Sequence, residues 1–158
     1  MKFDLEDTLL RIEAILKENL NNQITTINTE KSDEITLKQV TADAYFIQSM
    51  NERMANYDPY VVCAIEDIQS SGLGHASSLE IRILAAICVS DQGEDLNISR
   101  RMLRYSRALR EAFEAGWSDI GGISQRMILT SQIPIQFQLL DSGQYFRAVG
   151  VDITVGLA

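Results

Sequence analysis

The fold turns on ISRRMLRYSRALREAFEAGW, residues 98–117, because it is the one strongly helical stretch set between strand-like runs. Ile98, Met102, Tyr105, Leu109, Ala112 and Phe113 recur at helical spacing and predict a helix buried along one side. Gly116 is a natural stop, and Asn97 or Ser99 can cap the start. Upstream, PYVVCAIED (59–67) and LEIRILAAICVSD (79–91) have the β-branched density of buried strands. In the second run Leu79, Ile81 and Ile83 alternate with Glu80 and Arg82, so that strand begins half exposed. Downstream, RMILTSQIPIQFQLL (126–140) and QYFRAVGVDITVGLA (144–158) also alternate, and Asp141-Ser142-Gly143 between them signals a tight turn.

The N-terminal stretch FDLEDTLLRIEAILKENL predicts a first helix with Leu5, Leu9, Ile12 and Leu16 on one face and Asp4 as its cap, ending near Asn21-Asn22. Residues 23–57 read as an irregular excursion with short strand-like pieces at 24–28 and 35–40. Helix, strands, helix, strands is an α+β order. It predicts a single domain over 1–158, with mainly antiparallel sheet and both helices packed on one face.

Charge poses the sharper question. The chain carries a formal −8, yet Arg100, Arg101, Arg104, Arg107 and Arg110 put half of its arginines on the central helix. An acidic protein is a poor general ligand for nucleic acid or anionic membrane, so the basic helix is a local feature. No apolar run approaches the roughly 20 residues that span a bilayer, and the acidic N-terminus does not read as a secretory signal, so synthesis and folding in the cytoplasm are expected. Cys63 and Cys88 lie in apolar runs and read as buried reduced thiols.

Catalytic patterns are lacking: there is no GxGxxG, GxxxxGK[ST] or GxSxG. His75 sits in a Gly/Ser loop, and two cysteines with one histidine make no zinc set. The adjacent acids Glu66-Asp67 and Glu94-Asp95 read as a solvated strand end and a helix lead-in. No catalytic residue, cofactor or metal is expected. The arginines remain. On a lone helix, Arg100–Arg104 and Arg104–Arg107 repel by a few tenths of a kcal/mol each, with Glu111 and Glu114 the only helical counter-charges. Acidic surface opposite, on the same chain or on a neighbouring subunit, offsets that cost. The five arginines are therefore the candidate subunit or partner interface.

The element order, NYDP (56–59) before the first long strand, the helix phrase RRMLRYSRALREAFE (100–114) and the closing YFRAVGVDITV (145–155) together resemble the tail terminator (tail completion) proteins of long-tailed bacteriophages. The resemblance spans nearly the whole chain. It implies a structural virion protein of the tail and neck, assembled in the host cytoplasm, with no enzymatic role. Its partners would be itself in a homohexameric ring, the tail tube protein, and the head-tail connector or stopper. DNA would pass through the ring without specific binding, and no membrane would be involved. A head-completion or stopper protein of the same neck is the related alternative. A small cytoplasmic ligand-binding domain or enzyme, and a nucleic-acid adaptor using the arginine helix, are readings from other classes.

Overall fold

Asp4 opens the first helix by accepting from the backbone N–H groups of Glu6 (2.8 Å) and Asp7 (3.3 Å), as its position suggested. A computed structural model describes residues 4–47, 56–71, 78–91, 96–116, 126–138 and 145–157. In it the first helix, α1, runs over Leu5–Lys31. The expected stop at Asn21-Asn22 is therefore corrected by about ten residues, and the strand-like piece at 24–28 is helical. The reason is a balance of magnitudes. An asparagine costs a helix up to about 0.7 kcal/mol relative to alanine. Burying an isoleucine side chain contributes about 1.5–3 kcal/mol, and Ile24 and Ile27 are both fully buried on the face begun by Leu9, Ile12 and Leu16. The helix ends where Ser32 turns left-handed (φ 48°) and gives its N–H to the Asn28 carbonyl.

The second sequence-predicted piece, 35–40, is extended but belongs to no strand. It lies along the helices as a strap, with Ile35, Leu37 and Val40 buried. Its backbone bonds go to side chains instead of to a ladder. Leu37 N–H donates to Asn28 Oδ1 (2.8 Å), and Asn28 Nδ2 donates back to Leu37 O (2.9 Å). Val40 and Asn21 make the same reciprocal pair at 2.9 and 2.8 Å. These two asparagines, seven residues apart on one helix face, stand in for a neighbouring strand.

The described strands are β1 (Tyr45–Ile47), β2 (Tyr60–Ser71), β3 (Ser78–Asp91), β4 (Arg126–Gln138) and β5 (Tyr145–Leu157). They form one five-stranded sheet in the order β1-β2-β3-β5-β4. All pairings are antiparallel except the short β1–β2 pair, which is parallel. The expected α+β architecture thus stands, and the strand at 59–67 runs four residues further, past a register shift between Ile65 and Asp67. Pro134 falls inside β4, which lies at the end of the strand order, where a missing N–H is tolerated. The turn expected at 141–143, the loop holding His75, and Glu94-Asp95 lie outside the described residues.

The second helix, α2 (Ile98–Gly116), lies mainly over β5 and β3, while α1 lies over β1 and β2. One sheet face, including Cys63, Ile81, Ile83, Ile87, Val151 and Ile153, packs with both helices into a single hydrophobic cluster. Cys63 and Cys88 are free and buried, and burial pushes both thiols up to about 12. Gly116 is more than a stop. It sits against α1, where an added Cβ would overlap Ile15 Cγ2 and come within 3.1 Å of Asn19 Nδ2. Gly116→Ala is expected to destabilise the fold by about 1–3 kcal/mol, read as a lower urea midpoint, because the packed helices must part. An unchanged midpoint would show that α1 yields there freely.

Candidate functional site

The expected apolar stripe of α2 is buried as read: Ile98, Met102, Tyr105, Leu109, Ala112 and Phe113 are all at or below 9% exposure. The five arginines do not share one face. Arg104 is buried at 8% exposure, which corrects its placement among the outward residues. It reaches across to the start of the strap. Its Nη1 donates to Asp33 Oδ1 (2.8 Å) and Ile35 O (2.7 Å), and its Nη2 donates to Asp33 Oδ2 (2.5 Å). This is a two-pronged guanidinium–carboxylate pair, the geometry that arginine's planar fork favours. Arg101 donates to Thr36 O, and the Tyr105 hydroxyl donates to Lys38 O at 2.9 Å. Three successive strap carbonyls outside the asparagine pairs are thus each held by α2.

Arg107 is intermediate. It forks onto Glu30 at the end of α1 (3.0 and 2.7 Å) and also bonds Glu111 (2.7 Å) on its own helix. Arg110 stands 3.8 Å from Glu114, so both helical counter-charges seen in the sequence are used. Arg100 approaches Asp33 at 3.5 Å and keeps 58% of its side chain exposed. Much of the offsetting acid is therefore on the same chain, at Glu30 and Asp33. Their signal in the sequence was the EKSDE run (30–34) just before an apolar alternation, but a partner some 70 residues away leaves no periodic trace.

What faces outward is a narrower stripe. Arg100, Leu103, Arg107 and Arg110 follow one another at spacings of three and four, so they lie along one side of α2. Leu103 is 71% exposed, and Leu96, in the turn just before the helix, is 98% exposed. Lys31, Arg100, Leu103, Arg104 and Arg107 line an open hollow of about 300 Å³. The stripe thus combines cations with a large apolar side chain in water, a combination typical of contact surfaces.

The Arg104 fork holds the Asp33 carboxyl well below the usual carboxylate range, and Arg107 lowers Glu30 in the same way. A folded pKa below the unfolded value, near about 4, contributes stability that is complete above that value and is lost as pH falls through the folded one. Stability is therefore expected to decline below about pH 4 in steps that Arg104→Gln flattens, as read by unfolding midpoints across an acid series. Equal acid slopes in the two proteins would contradict the pairing.

A second polar cluster was not anticipated. Across β2, β3 and β5, Arg82 Nε donates to Glu66 Oε2 at 3.0 Å and lies 3.9 Å from Asp152 Oδ2. The register shift at Ile65/Asp67 brings Glu66 to this group rather than leaving it a simple solvated strand end. Burial raises the Glu66 pKa, and the nearby Asp152 charge adds to this against the pull of Arg82. Among the described residues, no three His, Cys, Asp or Glu side chains are grouped to hold a metal ion, and no helix is long and apolar enough to cross a membrane.

The sequence matches no protein-family model and no curated protein.

Proposed function

We propose that this chain is a ring-forming structural subunit of a phage neck, a tail terminator that caps the tail tube and joins it to the head connector. The observation that carries the reading is the outward stripe of Leu96, Arg100, Leu103, Arg107 and Arg110 on a chain of net −8. Such a surface suits subunits that stay apart until they meet, because complementary charge orients an encounter more than it tightens it. An exposed leucine among the cations supplies apolar area that becomes favourable once covered. The interface in this reading is narrower than the five arginines: Arg100, Arg107 and Arg110 with the two leucines, while Arg101 and Arg104 hold the strap.

Electron microscopy of the purified protein, alone and mixed with tail tubes, tests the reading. Sixfold rings, or caps seated on one tube end that stop further tube growth, are expected. A protein that forms neither, and leaves tube growth unaffected, would overturn it. Binding to connector without binding to tubes would favour the stopper role instead.

A further inference from the structure

The hollow lined by Lys31, Arg100, Leu103, Arg104 and Arg107 lies at the C-terminal end of α1. At the opposite end of that helix is its chemical complement. Asp4, Glu6 and Asp7 are exposed within the first turn, and Leu10, one turn on from Glu6 and Asp7, is 47% exposed. Several other acids are engaged, Glu13 with Lys17, Glu66 with Arg82 and Glu114 with Arg110, and Asp33 and Glu30 hold Arg104 and Arg107 of the hollow, which leaves Lys31 and Arg100 as its most exposed cations. Another hollow, about 180 Å³ beside Arg101 and Lys38, has Asp58 in its own wall and is less one-sided in charge.

From the geometry we infer that the N-terminal turn of α1 of a second copy seats in this cationic hollow, with Leu10 against Leu103. The two surfaces cannot meet within one chain. A straight helix of 27 residues holds its ends about 40 Å apart. The contact therefore joins different surfaces of two copies, head to tail. Made once per pair of copies, such a contact closes into a ring or runs on as a filament; made reciprocally, with each copy seating its turn in the other's hollow, it is a two-fold dimer, which the ring reading excludes. The inference rests on the ring reading proposed above and adds to it the identity of the occupant.

Cross-linking with a short bismaleimide tests it on the full chain. Cys63 and Cys88 are buried and stay silent. Asp7→Cys protein mixed with Leu103→Cys protein is expected to shift to a two-chain band. The chain carrying both substitutions should give a ladder; bands that stop at two chains would show a reciprocal two-fold contact and overturn the head-to-tail arrangement. A control mixture of Thr26→Cys, at an exposed site elsewhere on α1, with Leu103→Cys should stay at one chain. If Leu103→Cys protein instead links only to itself, the stripe is an interface but a two-fold one, and the occupant proposed here is wrong. If no pair links while electron microscopy still shows rings or caps, this inference falls and the self-assembly reading stands; if neither links nor rings form, both fall. Glu6→Lys with Asp7→Lys provides a second readout. It should abolish assembly and Arg100→Glu in the other copy should restore it; assembly that survives the lysines overturns the inference.

Discussion

Replacing Asn21 and Asn28 together by alanine is expected to destabilise the protein by roughly 3–4 kcal/mol. Each asparagine satisfies one N–H and one C=O of the strap, at Val40 and Leu37, whose side chains are 1% and 2% exposed. A buried polar group stripped of its partner costs about 1–3 kcal/mol. Four such groups outweigh the gain of up to about 0.7 kcal/mol that each alanine brings to the helix. Asn22→Ala, at an exposed neighbouring position, keeps that gain without the loss and should be neutral or slightly stabilising. Urea unfolding measures the difference, and hydrogen exchange at the Leu37 and Val40 amides locates it. A double variant within about 1 kcal/mol of the parent, with those amides still protected, would show that the strap is held by its apolar side chains alone.

Arg100→Glu combined with Leu103→Asp should abolish assembly while leaving the monomer folded. Arg100 keeps 58% of its side chain in water and Leu103 is 71% exposed, so neither is part of the core. Changes at such positions usually alter stability by no more than about 0.5 kcal/mol. Their effect on a charge-complementary contact is much larger, because an attraction becomes a repulsion and an apolar contact becomes a buried carboxylate. Arg104→Gln should behave in the opposite sense. It loosens the strap at Asp33 and Ile35 and lowers the melting temperature, and it touches the outer stripe only at the floor of the hollow. Sedimentation and thermal melting of the two variants separate the roles. If the outward pair assembles normally, the stripe is solvated and carries no partner.

The parts of the fold that were legible in the sequence are those governed by a repeating pattern. The α2 stripe, the alternation of Ile81 and Ile83 with Glu80 and Arg82, and the cap at Asp4 are local, and each appears where its period or its residue type places it. The end of α1 was not legible, because Asn21 and Asn22 are common helix stops when read alone. Asn21 is tolerated because its amide bonds Val40, 19 residues on. The strap at 35–40 alternates like a strand and is extended like one, yet its partners are side chains, so no ladder forms. Arg104 looked outward because arginine usually does. Its burial follows from Asp33, a contact that only the antiparallel packing of α1 on α2 creates. The opening excess of arginine thus has two causes, a scaffold for the strap and an outward surface, and the sequence showed only their sum.

Phenylglyoxal labelling of arginine side chains, read by mass spectrometry on the free protein and on protein assembled with tail tubes, tests this division most directly. The account expects Arg104 to react slowly in both states, and Arg100 and Arg110 to react quickly when free and slowly once assembled. Equal labelling of Arg100 and Arg110 in the two states, or an Arg104 that reacts as fast as they do, would contradict it.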